Sequence, residues 1–555
     1  MKSCQSVLIS KFMIYTKIII FLISIIFICH MPAYAINPEK NLKDTSILLP
    51  PENWFNMDFE NDHYFGVSTE RAYEPVKEKK SKRIVVAILD SGVDLFHEDL
   101  KDHIWINVDE IPDNGIDDDQ NGYIDDIHGW NFIGGKIGTP VEFDTYEVTR
   151  LYALYKSKFD HVDTTNLSSE NLKEFEKYRA IKTDFENLKK RNESNLNALN
   201  SISKRYNNAA KIIASYLCTD SIDSVSLEQL KNINSDVDSI DLSAELLIKL
   251  KKKNFDNKKL QNTIEKINNN LIYSLNTDYD PRYIVGDNYD KPDDRDYGNK
   301  FVKGPESTHG THVSGIVAAD RNNTIGIKGI ANNVEIMIVR VVPDGDERDK
   351  DVANAILYAV ENGAEIINMS FGKGYSPNKD YVDKAVEIAE KNNVLIVHAA
   401  GNDSENNDKV PNYPSRIYNS GRICKPWIEV GAITWKNDTN MIAGFSNYGR
   451  KNVDLFAPGF DIYSTIPEQG YNYANGTSMA SPMVTGVAAL VWSYYPELTA
   501  LEIKEIILKS AVKYKNKKVM LPGNPDKMVK FKKLSKTGGV VNAYYALKLA
   551  EKKYK

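Results

Sequence analysis

Four short runs of aliphatic and β-branched residues stand out from an otherwise mixed pattern: Arg83–Leu89, Ile336–Val342, Glu365–Met369 and Val394–His398. Such runs, with little polar alternation, suit strands buried on both faces of a parallel sheet. Between the later runs, Asp351–Glu361 and Asp380–Lys391 space their apolar residues three to four apart, as amphipathic helices do. Strand and helix in alternation, joined by short glycine-bearing segments, predict an α/β fold with a doubly wound, mostly parallel sheet.

From about Glu142 to Asn276 the pattern changes. Lys, Asn, Glu and Leu dominate, and Gly and Pro are all but absent. Leu172, Phe175, Tyr178, Phe185, Leu188, Leu199, Ile202, Ala209 and Ile213 fit one or two long amphipathic helices. A second helical stretch, Ser243–Leu275, carries Leu246, Leu250, Ile264, Ile267 and Leu271, so two antiparallel helices packing their apolar stripes together are expected. The domain plan is therefore a leading arm over 36–82, a first sheet segment over 83–142, a helical insertion over 143–276 and the remainder of the sheet domain over 277–555.

At the N-terminus Lys2, Lys11 and Lys17 precede the 12-residue apolar run Ile18–Cys29, and Ala33-Tyr34-Ala35 has the small-x-small pattern of a cleavage site. The run falls short of the about 20 residues that a membrane span needs. Residues 1–35 therefore read as a signal peptide, and the mature chain is expected near Ile36, secreted or at the periplasm or cell surface, without a stable membrane span. A net charge of −6 supplies no basic field for nucleic acid. Four cysteines do not make a disulfide framework, and two of them, Cys4 and Cys29, lie in the expected signal. Of the others, Cys218 falls in an amphipathic stretch and reads as a small core residue; Cys424 gives no reason to expect a pairing.

Three segments carry chemistry. Asp90 ends the first buried strand; Ser307-Thr308-His309-Gly310-Thr311-His312 opens an apolar helix; Asn475-Gly476-Thr477-Ser478-Met479-Ala480-Ser481-Pro482 opens another. Catalytic groups in open α/β sheets gather at the carboxyl ends of strands. Asp, His and Ser in this order fit an acyl-transfer triad. In that reading Ser478 attacks a carbonyl, His309 takes its proton, and Asp90 holds the imidazole tautomer. Gly476 lets backbone approach a substrate, and Pro482 is expected in the first helical turn, where no donor is needed. Asp94 and His97 read as turn residues, and His312 as a packed, hydrogen-bonded histidine rather than half of a metal pair.

On these segments the chain resembles the subtilisin-like serine proteases, the subtilase family, over about residues 51–142 and 276–555. The resemblance implies a subtilisin-like sheet interrupted by the long helical insertion, and an exported serine endopeptidase acting on peptides or proteins. In Ala399-Ala400-Gly401-Asn402 it implies that Asn402 and the Ser478 N–H stabilise the oxyanion. It also implies that Ser370, Phe371 and Gly372 pair with the substrate backbone, with Gly345 in the facing edge Pro343–Glu347. Asp344, Asp346 and Glu347 in that edge would favour basic residues in the substrate. Two features depart from the simplest family pattern. Asp90 and His309 are 219 positions apart, most of them insertion, and only 47 residues lie between the expected cleavage site and the first strand, too few for a full inhibitory propeptide. The rival reading is a catalytically decayed interaction protein with the insertion as its platform; the intact polar positions speak against it.

A structural calcium ion is also expected. Asp117, Asp119, Asn121, Tyr123 (through its carbonyl) and Asp125 fall at positions 1, 3, 5, 7 and 9 of an EF-hand-like loop, with Gly122 at 6. Position 12 is His128, so Asp126 is expected to supply the missing carboxylate. Family resemblance implies a second site from Asp99, Asn323 and the carbonyls of Arg321, Ile325 and Ile327.

Overall fold

The computed structural model describes residues 49–162 and 167–554; the expected signal peptide lies outside the described residues. The described residues fall into two compact units: those within 149–278, and 49–148 together with 279–554.

In the larger unit the strands are, in chain order, β1 (Ile84–Asp90), β2 (Gly129–Asn131), β3 (Val334–Arg340), β4 (Ile366–Met369), β5 (Leu395–Ala399), β6 (Trp427–Ile433), β7 (Leu455–Pro458), β8 (Ile462–Ile466), β9 (Gly470–Ala474), β10 (Val512–Lys513), β11 (Lys518–Leu521), β12 (Asn524–Lys530) and β13 (Gly539–Val540). Hairpins β8–β9 and β11–β12 stand apart; the other nine form one sheet in the order β10-β13-β7-β6-β5-β4-β1-β3-β2. All its pairs are parallel except β10–β13.

Both faces of this sheet are covered, which is why the strands read as continuous apolar runs. Ile84, Val86 and Ile88 pack with Val313 and Val317 of the Thr308–Ala318 helix and Val484 and Val487 of the Thr477–Tyr494 helix. Ala87 and Leu89, pointing the other way, pack with Ile356 and Ala359 of the Asp349–Glu361 helix and Val386 and Ala389 of the Lys379–Lys391 helix. The apolar run Ile336–Val342 outlasts its strand because the N–H groups of Val341 and Val342 turn to the Asp90 carbonyl, at 2.9 and 3.2 Å. The leading arm packs on the first face: Trp54 and Phe55 are fully buried, and Trp54 Nε1 donates to Asp461 O at 2.9 Å.

In the smaller unit a helix of 48 residues, Ser169–Tyr216, supports the shorter helices Asp238–Lys251 and Asn257–Asn269. Along it Tyr178, Phe185, Asn192, Leu199, Tyr206 and Ile213 recur every seventh residue, the spacing of a coiled-coil seam. Asn192 in this seam accepts from Asn270 Nδ2 at 3.3 Å. Leu172, expected on the apolar stripe, is exposed. The single helix expected over Ser243–Leu275 is broken after Lys251: Asn254 adopts a left-handed φ of 53°, and Asp256 caps the next helix by accepting from Lys259 N. Asn tolerates that conformation at little cost. Cys218 also departs from expectation. The long helix ends at Tyr216, and Cys218 takes φ 52° in the following turn with an exposed thiol; Cys424 is buried, and both are free.

Candidate active site

Two neighbouring strands end together. Leu89 of β1 lies opposite Met369 of β4, so Asp90 and Ser370 leave the sheet side by side. Asp90 is 1% exposed; its Oδ1 accepts from Ser91 N at 2.8 Å and lies 2.7 Å from His309 Nδ1. His309, by contrast, keeps 40% of its side chain exposed. Helix and strand approach closely here because Gly310 has no Cβ: one would lie 2.2 Å from Gly92 O. A ring whose Nδ1–H donates to a buried carboxylate keeps Nε2 as its basic nitrogen.

Ser478 is the second residue of its helix. Its Oγ donates to Ser370 O, and Ser370 Oγ donates to Ser478 O, each at 2.9 Å. The second bond explains Pro482, which is the sixth helical residue rather than part of the first turn. Proline has no N–H for the carbonyl four residues back, and the Ser370 hydroxyl takes that donor's place. Asn368 ties strand to helix: its Nδ2 donates to Ser370 Oγ at 3.0 Å, while its Oδ1 accepts from Ser481 and Thr485 hydroxyls at 2.9 Å each. Nothing local pointed to this role, though a fully buried Asn in an apolar strand was the available signal.

Asn402 Oδ1 accepts from Thr477 N and Thr477 Oγ1, at 2.9 and 3.0 Å. With the oxygen so engaged, the amide Nδ2 turns towards the start of the serine helix. A Cβ placed on Gly476 would lie 3.5 Å from Ser478 N and 3.6 Å from Asn402 Nδ2. Two N–H donors thus flank one small space beside Ser478, an arrangement that can stabilise an oxyanion. Thr477, whose hydroxyl also accepts from Gly401 N at 3.1 Å, is a further member that the motif reading passed over.

The segment Ser370–Gly372 continues β4 beyond its last paired residue. Gly345 has φ 152°, and a Cβ there would meet Asp144 O at 2.2 Å. The expected three-carboxylate edge is not realised. Glu347 is 2% exposed, and burial pushes its carboxyl up to about 8; Asp346 accepts from Glu147 N at 2.8 Å. His312 is buried with Nε2 at 3.1 Å from both Ile462 O and Asn472 O, the packed, hydrogen-bonded histidine expected, and His97 Nε2 lies 3.1 Å from Gly470 O.

Of the calcium-loop residues, Asp119 and Asp126 converge, joined by Glu110, with one oxygen from each within 4.8 Å of the others. Glu110 lies outside the ten-residue pattern and was missed. Burial raises the carboxyls of Glu110 and Asp126, the charge of Asp119 adding to the latter. Three hard oxygen donors, two of them buried, fit a calcium ion. Asn121 Nδ2 donates to Asp119 and Asp126, and Asp117 accepts from Asn121 N and Gly122 N. Asp125 is drawn away: its carboxylate accepts from Asn114 N, Gly115 N and Lys300 Nζ. The Tyr123 hydroxyl meets Arg295. At the second expected site Asp99 accepts from Asn323 Nδ2 at 2.7 Å and Ile327 N at 3.3 Å, with Tyr471 OH also at 3.3 Å, while Asn323 Oδ1 accepts from Ile325 N. The Arg321 side chain turns to Gly329 O and Glu70. Burial raises the Asp99 carboxyl as well.

The family model described as the Subtilase family matches residues 81–532. The thermophilic serine proteinase of Bacillus sp. (strain AK1) is 39% identical over 208 residues, 37% of this chain and 47% of that protein. Subtilisin DY of Bacillus licheniformis is 38% identical over 224 residues, 39% of this chain and 76% of its own length. The cell wall-associated protease of Bacillus subtilis (strain 168) is 35% identical over 222 residues, 39% of this chain and 23% of that protein. The chain thus spans about half the length of the first of these relatives.

Proposed function

The chain belongs to the Subtilase family, and on that premise we propose that it is a serine endopeptidase acting through Ser478, His309 and Asp90. The buried Asp90 carboxylate, bonded to His309 Nδ1 beside the strand end that holds Ser478, carries this reading. Ser478 Oγ leaves Ser370 O and attacks the scissile carbonyl as His309 Nε2 takes its proton; Asp90 stabilises the imidazolium. Asn402 Nδ2 and Ser478 N donate to the oxyanion. His309 then protonates the leaving amine, and a water that it deprotonates releases the acyl group. Peptide or protein substrates bind extended along Ser370–Gly372 and the Gly345 edge, through main-chain pairing.

Calcium has a structural part in this proposal. Glu110, Asp119 and Asp126 would hold one ion, Asp99 and Asn323 a second; a bound cation relieves carboxylate repulsion and ties the loops to the folded state. Export is proposed from the 1–35 pattern. No helix among the described residues is long and apolar enough to cross a membrane. The test is labelling of the full chain with a serine-directed fluorophosphonate, alongside a peptide library. Labelling and cleavage in the parent, both abolished in Ser478→Ala, are expected; wild-type turnover in Ser478→Ala overturns the assignment.

A further inference from the structure

His398 and Glu429 interrupt two strands that are otherwise apolar and fully buried, β5 and β6. They lie side by side in the sheet, His398 opposite Glu429 on one side and Met369 on the other. His398 is 0% exposed. Its Nδ1 is 2.9 Å from Glu429 Oε1, and its Nε2 is 2.9 Å from Phe371 O. Trp427 Nε1 donates to the other oxygen, Glu429 Oε2, at 2.8 Å, so the carboxylate is itself fixed.

Phe371 is the middle residue of the segment that continues β4. Successive carbonyls along an extended strand point to opposite edges. The Phe371 carbonyl points to the β5 edge, where it meets His398. Lys373, two residues on, shares that direction: its N–H and carbonyl pair with Tyr413, at 2.9 and 3.0 Å. Ser370 points the other way, and its carbonyl receives Ser478 Oγ. Gly372, two residues from Ser370, has the same sense. What fixes Phe371 therefore fixes which main-chain groups of Ser370 and Gly372 are left for the nucleophile and for an incoming backbone.

We propose that His398, oriented by Glu429, is a positioning residue: it pins the Phe371 carbonyl to the β5 edge and thereby presents Ser370 and Gly372 to an extended peptide substrate. This rests on the protease reading above. A buried ionisable pair is a weak source of stability compared with well-packed apolar residues, so the pair's use lies in the direction that it imposes.

The experiment compares the full-length parent with His398→Ala, His398→Gln and Glu429→Gln, with active sites counted by fluorophosphonate. Two substrates share one P1 residue: a tetrapeptide 4-nitroanilide selected on the parent, and the corresponding single acyl-amino-acid 4-nitrophenyl ester. His398→Ala is expected to raise KM for the tetrapeptide by about tenfold, the scale of one lost hydrogen bond to a main-chain partner, while the single-residue ester changes by less than about twofold. His398→Gln keeps an N–H that can reach Phe371 O and is expected to recover most of the tetrapeptide KM; Glu429→Gln falls between. The proposal is overturned if the variants only melt earlier, with KM and kcat per labelled site unchanged, or if both substrates lose equally. If His398→Ala yields no labelled enzyme, the same comparison on His398→Gln and Glu429→Gln decides: unchanged tetrapeptide KM in both refutes it. A parent protein that fluorophosphonate does not label removes the protease reading instead, a failure visible before any variant is assayed.

Discussion

His312 makes a measurable demand on acid stability. It follows His309 by three residues on the same helix, is 2% exposed, and gives Nε2 to Ile462 O and Asn472 O of the β8–β9 hairpin, while Nδ1 is buried without a hydrogen-bond partner. Burial, with the charge of His309 adding to it, pushes the imidazole down from the ordinary 6.5 to about 4. The folded state thus holds a neutral ring that the unfolded chain would protonate. Its contribution is intact above pH ~6.5 and is lost as pH falls through about 4. Each pH unit within that window removes about 1.4 kcal/mol, so roughly 2 kcal/mol is gone by pH ~5 and about 3 kcal/mol in full. The assay is thermal or urea unfolding from pH 8 to 5 in saturating calcium, in a Ser478→Ala background that suppresses self-digestion, with and without His312→Gln. Glutamine keeps a donor for the hairpin carbonyls but cannot titrate. Carboxylate effects are common to both proteins and cancel in the difference, which should shrink by roughly 2 kcal/mol on acidification. Stability curves that run parallel across this range would refute the argument.

Asn402→Ala should lower kcat by about 10²–10³ with KM little changed, the range known for an oxyanion donor of this type; equal losses in binding and turnover would speak against the role. Thr477→Val removes the hydroxyl that fixes Asn402 and should cost about tenfold in kcat, the worth of roughly one hydrogen bond; unchanged kcat would show that Asn402 is held without it. Chelation should lower the melting temperature and speed self-digestion, since calcium at a hundredfold excess over Kd stabilises by about 2.7 kcal/mol. Asp119→Asn with Asp126→Asn should remove part of that response, whereas identical melting in chelator and millimolar calcium, with no metal by elemental analysis, rules out both sites. Replacing Thr149–Asp278 by a short Gly/Ser loop should leave fluorophosphonate labelling intact and alter protein-substrate choice or stability; a well-folded deletion that no longer reacts with the small probe would show the insertion to be part of the reactive centre.

The residues that could be read from the chain are those whose surroundings are local. Asp90, His309, Ser478 and Asn402 each sit in a stretch of a few residues whose neighbours serve the same geometry: a strand end, or the first turn of an apolar helix. The buried strands were equally legible, because burial on both faces removes polar alternation from the run itself. Helix breaks were less so. The apolar spacing of Ser243–Leu275 carries across Lys252–Phe255 without Gly or Pro, and only the left-handed Asn254 interrupts the backbone. What could not be read are partners that only the folded backbone brings together: Ser370 with Ser478, 108 positions apart across the sheet, or Glu110 with the loop it joins, within the connection between β1 and β2. No period or spacing encodes such a meeting. The chain does mark where one is required. Asn368, His398 and Glu429 are polar residues inside runs that the sheet buries on both faces, and an unmet polar group there costs about 1–3 kcal/mol. Each therefore implies a partner elsewhere in the fold, and in each case that partner leads, through Ser370 or Phe371, to the strand end against which Ser478 rests.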